Sequence, residues 1–176
     1  MKRFTSKNIR SHSGFTLIEI LIVVAIIAIL SSVVLIGLGP TQKSGRDARR
    51  LSDLHEVQTG LELYYGKCGF YPSTTLNGGC PLACDNTVGY SGMSAALTGS
   101  GIGVSSVPQD PVSGHTYYYG TDKNCLKYLL MAKLENPDNS VFVNYTAPSS
   151  TDFFGDFSTA GIDCSTSTNP YYCLAL

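Results

Sequence analysis

The stretch Ser13–Leu30, SGFTLIEILIVVAIIAIL, decides how the rest of the chain is read. The apolar run it begins extends from Leu17 to Leu38, twenty-two residues that as a helix measure about 33 Å, a match to a hydrocarbon core of roughly 30 Å. One carboxylate, Glu19, interrupts it near its start. An ionised carboxylate in hydrocarbon costs on the order of 3 kcal/mol on insertion scales, so Glu19 calls for a partner or a place at the interface. Two compatible readings follow. Thr16–Glu19 has the T-x-x-E spacing of a capping box, which would put the carboxylate against the orphan amides of a helix start. Alternatively, a cut after Gly14 would give Phe15 a free α-amine, with an ordinary pKa of about 8, as a cation for the Glu19 of a neighbouring copy.

The 176 residues suit one ordinary domain plus an extension. Four of the twelve basic side chains, Lys2, Arg3, Lys7 and Arg10, precede the apolar run with no acid among them, so the remainder is net acidic. That balance argues against a generally basic nucleic-acid binder. All six cysteines, Cys68, Cys80, Cys84, Cys125, Cys164 and Cys173, fall after the run. An even number on one side of a membrane-type segment points to an oxidising compartment and up to three disulfides, with pairing open. Zinc is the weaker reading, because the C-x3-C of Cys80 and Cys84 lacks a nearby His or second Cys pair. The run is too long for a secretory signal peptide and no A-x-A-like site follows it, so the segment is expected to remain in the mature protein. Lys43, Arg46, Arg49 and Arg50 nearly balance the leading charges; the cysteines therefore set the expected orientation, amino terminus inside and large domain outside.

A basic leader ending in Gly14, then Phe15-Thr16-Leu17-Ile18-Glu19 and an unbroken apolar run, resembles the class III signal of type IV prepilins and of the pseudopilins of type II secretion systems. The resemblance implies cleavage between Gly14 and Phe15 by a prepilin peptidase, methylation of the Phe15 amine, and a role for Glu19 in guiding subunits into a filament. It implies as partners identical or related subunits, the peptidase, an assembly platform and its ATPase, and the membrane. The implied fold is α+β: a long N-terminal α-helix packed on a small antiparallel sheet with disulfide-stapled loops. The expected segments are a leader 1–14, a transmembrane and assembly helix 15–39, an amphipathic half 40–66 and a globular β domain 67–176. Many pilins close a C-terminal loop with a disulfide, which makes Cys164–Cys173 the first pairing expected.

Further along, GLGP at 37–40 is expected to weaken or kink the helix. Ala48, Leu51, Leu54, Val57, Leu61, Tyr64 and Tyr65 then form an apolar stripe, with Arg49, Arg50, Asp53, Glu56 and Glu62 on other faces. The basic cluster 43–50 reads as a solvated or headgroup-facing surface. Residues 73–108 read as a loop with a short helix at SGMSAAL, and TGSGIGV as a turn, its glycines lacking phosphate-loop spacing. HTYYYG, CLKYLLMAKLE and SVFVNYT read as three strands of an antiparallel meander, the middle one with a helical alternative. Asp110, Asp122, Asp152 and Asp156 read as turn and surface residues, and no calcium loop is recognisable.

No nucleophile, metallopeptidase or paired-carboxylate motif accompanies His12, His55 and His115, and no enzyme, cofactor or metal site is expected. The sequon at 144–146 is a chance-level triplet. The expected protein is a structural subunit of a type IV pilus or secretion pseudopilus, held first in the cytoplasmic membrane and then in an envelope or surface filament. The competing reading is a monomeric, signal-anchored extracytoplasmic binding domain, neither processed nor polymerised.

Overall fold

A computed structural model describes residues 14–73, 80, 84, 88–143, 145–159, 161–162, 164 and 170–176, without the side chains of 33–38 and 159. The basic leader, His12 and Asn144 of the sequon lie outside the described residues. The chain divides into two compact units, Met1–Pro40 and Thr41–Leu176. The architecture is α+β and pilin-like: a long N-terminal helix packed on a four-stranded antiparallel sheet, with disulfides.

Helix α1 runs from Leu17 to Cys68 without a break. Pro40 lies inside it, so the expected weakening at GLGP does not interrupt the helix. Proline removes a single backbone donor, and the long apolar and striped segments on either side are strong enough helix formers to continue past it. Gly69, with φ +79°, terminates the helix by donating its N–H to the Tyr65 carbonyl at 2.7 Å, a left-handed cap that glycine adopts without strain.

In the second unit α1 buries Leu54, Val57, Leu61 and Tyr64 against Tyr117, Tyr119, Tyr128, Leu130 and Ala132 of the sheet region and Met93, Ala96 and Leu97 of helix α2 (Tyr90–Gly99). Each fully buried aliphatic side chain there contributes roughly 1.5–3 kcal/mol. The expected stripe holds at Leu54, Val57, Leu61 and Tyr64 and differs at its ends and on one flank. Ala48 and Tyr65 are exposed, whereas Asp47, Arg50 and Asp53 are buried.

Strands β1 (Tyr118–Asp122), β2 (Tyr128–Lys133), β3 (Phe153–Gly155) and β4 (Tyr171–Ala175) are arranged in the order β3-β1-β2-β4, all neighbours antiparallel. β1 and β2 form a hairpin whose turn is held by Asp122, its Oδ1 accepting from the Leu126 and Lys127 amides at 2.8 and 2.9 Å. CLKYLLMAKLE supplies a strand rather than its helical alternative, since five of the six β2 residues are buried at the middle of the sheet.

The expected third strand of the meander is not one. SVFVNYT contains instead a short 3-10 helix at Ser140–Phe142, with Asn139 Oδ1 accepting from the Val141 amide. The place beside β2 is taken by β4, and none of the 3-10 residues is buried, so this segment lies outside the sheet. Its Tyr145 closes β4's outer edge: the phenol accepts from the Cys173 amide at 2.9 Å and donates to the Cys173 carbonyl at 3.0 Å. An exposed edge is thereby blunted. On the opposite edge Gly120 pairs with Gly155, and a Cβ on Gly155 would lie 2.1 Å from the Tyr119 carbonyl oxygen, so only glycine permits that approach.

Three disulfides join Cys68–Cys80, Cys84–Cys125 and Cys164–Cys173. Together they tie the end of α1, the hairpin turn and the last strand to neighbouring loops. Closing such loops restricts the unfolded chain and stabilises the fold by about 2–4 kcal/mol each.

Candidate functional site

The N-terminal site is built on the first turn of α1. The Glu19 amide donates to Thr16 Oγ1 at 3.3 Å, and Glu19 Oε2 accepts from the Thr16 amide at 3.5 Å and from its hydroxyl at 3.4 Å. This is a reciprocal capping box: Thr16 satisfies one orphan amide and the carboxylate lies at the positive end of the helix dipole. Only one carboxylate oxygen is engaged; among the described residues Oε1 receives no hydrogen bond.

Around it the surface is apolar on all sides. Phe15 is 81% exposed, Leu17 82%, and every Leu, Ile and Val side chain from Leu17 to Leu30 stays largely open. Monomeric soluble proteins rarely present so continuous an apolar surface, which marks a membrane or protein contact. Among the described residues no helix is long and apolar enough to cross a membrane; residues 33–38, which complete the run in sequence, contribute no described side chains. Among the described residues Gly14 meets no neighbour that would exclude a Cβ, so their packing gives no reason for glycine there.

A second constellation lies in the globular unit, where the basic cluster of α1 is only partly the expected solvated face: Lys43 and Arg49 are exposed, Arg46 is half-buried and Arg50 is buried. Arg50 is fully buried. Its Nε and Nη2 donate to the two oxygens of Asp110 at 2.7 and 3.0 Å, and its Nη1 donates to Asp47 Oδ1 and Glu135 Oε1, both at 2.9 Å. Arg46 adds a second fork to Glu135, with both contacts at 2.6 Å. Asp47 in turn accepts from the Glu135 and Asn136 amides at 2.8 and 3.0 Å. Burial alone would lower the Arg50 pKa, but the bonds to Asp110, Glu135 and Asp47 outweigh it and raise it. The Arg46 fork is the main cause that holds Glu135 down to about 2, and Arg50 adds to it against the opposing effect of burial. Burial would raise Asp110, yet Arg50 and the Val112 amide draw it below the ordinary carboxylate value. The network clamps α1 to the chain after β2 and to the loop at 110, and two planar forks fix its geometry.

Two of the expected surface aspartates are therefore structural. Besides Asp110, Asp156 lies between elements: its Oδ2 accepts from the Tyr90 amide at 2.8 Å, capping α2 from a distance, and its Oδ1 from the Tyr119 amide at 3.0 Å. Burial raises its pKa despite these bonds. Asp122 is a turn residue and Asp152 is exposed. Asp53, expected on an outer face, accepts from the buried Tyr117 hydroxyl at 2.7 Å. His55 is exposed on α1, and His115 lies in a turn where its amide donates to the Val112 carbonyl. Among the described residues no group of three or more His, Cys, Asp or Glu is arranged to hold a metal.

Fold and helix start together define a pilin-like α+β architecture that opens on a capped apolar helix. Residues 9–35 match the prokaryotic N-terminal methylation motif. Over 65 residues, 37% of this chain and 46% of the relative, the sequence is 32% identical to the type II secretion system core protein G of Aeromonas hydrophila. It is 31% identical over 68 residues to the protein of the same name from Vibrio cholerae serotype O1, covering 39% of this chain and 47% of that one. The chain thus spans just under half the length of these curated relatives. No solved structure matches it significantly.

Proposed function

We propose that the chain is a pilin-like structural subunit, not an enzyme, that is cleaved between Gly14 and Phe15, methylated on the Phe15 amine, and polymerised through the start of α1. The observation that carries this reading is one carboxylate with a free oxygen, Glu19, placed one turn from Phe15 in a surface that is otherwise apolar and exposed, within the matched methylation motif. Gly14 supports it, since a glycine without a packing role fits a requirement of the processing enzyme.

In the membrane the capping box lowers the cost of the carboxylate by giving it local donors. On assembly, apolar faces of neighbouring helices come together, and the Phe15 amine of one subunit meets the free oxygen of another's Glu19. A buried charge finds a partner only in the correct register, so the pair selects register more than it adds net stability. The partners are copies of this chain or related subunits, the prepilin peptidase, and the platform and ATPase of a pilus or type II secretion machine. The subunit starts in the cytoplasmic membrane with its amino terminus inside and its disulfide-bonded unit outside.

Exchange of Glu19 for Ala tests this. Membrane fractionation should show normal insertion, while sheared-filament yield falls by about tenfold or more, the scale of a lost charge-assisted contact. Full filament yield from the variant would remove the pairing role.

A further inference from the structure

The sheet has two faces, and the one turned away from α1 holds a polar pocket. Tyr117, Tyr119, Leu130 and Ala132 point to the core shared with α1, whereas Tyr118, Met131, Tyr171 and Cys173 belong to the opposite face. At the end of that face a pocket of about 230 Å³ is lined by Gly114, His115, Thr116, Tyr118, Lys133 and Tyr171.

Its parts are held in place. Lys133 and Tyr171 are direct cross-strand partners, and the ammonium lies 5.8 Å from the centre of the Tyr171 ring, an arrangement that restrains the long side chain. The Tyr118 ring meets Tyr171 edge-on at 6.1 Å. The rim at 114–116 follows a loop fixed by Asp110, which Arg50 and the Val112 amide hold, and by the His115 amide bonded to Val112. Gly114, with φ +85°, supplies the left-handed turn.

The pocket is one-sided in its chemistry. Among the described residues no carboxylate lines it; the nearby Asp110, which interacts electrostatically with His115, is committed through its hydrogen bonds to Arg50 and Val112. Among the described residues Lys133 has no ion-pair partner, and neither ring nitrogen of His115 makes a hydrogen bond. Thr116 already donates its hydroxyl to the Tyr117 carbonyl and shapes the rim only. Burial, with Tyr118 beside it, keeps the Tyr171 phenol protonated well past neutrality. An exposed ammonium with three donors and an exposed imidazole thus line one concave space with unspent hydrogen-bonding capacity.

We propose that this pocket binds a small oxyanion, a phosphate or carboxylate group, with Lys133 as its charge partner and His115 as a second donor. The volume leaves room for a substituent the size of a sugar on that group. Binding here does not depend on polymerisation, so it can be tested on the single subunit.

The full-length, 15N-labelled chain in neutral detergent micelles is titrated with inorganic phosphate and, separately, with galacturonate, at constant ionic strength, with glucose and sodium chloride as controls. Saturable shifts of the 114–116 amides with either anion, absent with both controls, are expected, with half-saturation in the millimolar range of about 1–10 mM. Phosphate alone would identify a phosphoryl ligand, galacturonate alone a carboxylate. Lys133→Met should weaken binding about tenfold, Lys133→Arg should retain it, and His115→Ala should weaken it severalfold. Absence of a saturable shift with either anion up to about 50 mM would overturn the proposal, as would unchanged affinity in a folded Lys133→Met chain.

Discussion

Replacing Arg50 by Met should cost more than any other single change on the polar side of α1. The guanidinium is fully buried and makes four hydrogen bonds to three carboxylates, two of which, Asp47 and Asp110, are themselves at most 1% exposed. Methionine fills much of the volume but leaves those carboxylates without their cation. Breaking one partner of a buried ion network costs about 3–5 kcal/mol, chiefly through the charge left behind. With a urea slope of about 2 kcal/mol per molar, the unfolding midpoint should fall by about 2 M. The assay is urea unfolding of the full-length chain in micelles, followed by near-ultraviolet circular dichroism of the tyrosine-rich core. A second substitution, Asp110→Leu, in the Arg50→Met background should recover part of the loss by removing one orphaned charge. A single variant within about 1 kcal/mol of the parent would refute the buried-network reasoning, because that is the range of a surface ion pair.

The same network sets an acid limit. Glu135 is held down to about 2 by Arg46 and then Arg50, and Asp110 is also lowered, so their stabilising contribution is fully present above the ordinary carboxylate range. Unfolding midpoints should be flat in this respect from pH 7 to 5 and fall between about pH 4 and 2; a loss already complete at pH 5 would contradict the assignment. Asp156 has the opposite sign, since burial raises its folded pKa, and acidification through that raised value adds stability. Asp156→Ala leaves the buried-side amides of Tyr90 and Tyr119 without acceptors and should cost about 2–4 kcal/mol in the same unfolding assay, with α2 the first element to lose amide-exchange protection. Unchanged protection of α2 would show that Asp156 is not its cap.

The helix, its start and the two central strands were legible because each depends on local pattern. Thr16 and Glu19 stand at capping-box spacing, the apolar run is continuous, and the β1–β2 hairpin is bracketed by turn residues. What escaped depends on distant chain. Nothing in the pattern separates Arg50 from Arg49, yet one is buried among three carboxylates and the other is 64% exposed, because Asp110 and Glu135 arrive from 60 and 85 residues away. SVFVNYT has strand composition but loses its place beside β2 to β4, whose seat depends on the last residues of the chain. Asp156 reads as a surface acid until α2 and β1 are brought to it.

Processing at Gly14 and Phe15 is tested most directly by intact-mass measurement of the protein extracted from its native membranes. A chain beginning at Phe15 and carrying one added methyl group is the predicted result. A population that still begins at Met1 and is unmethylated, in cells with an active prepilin peptidase, would contradict it.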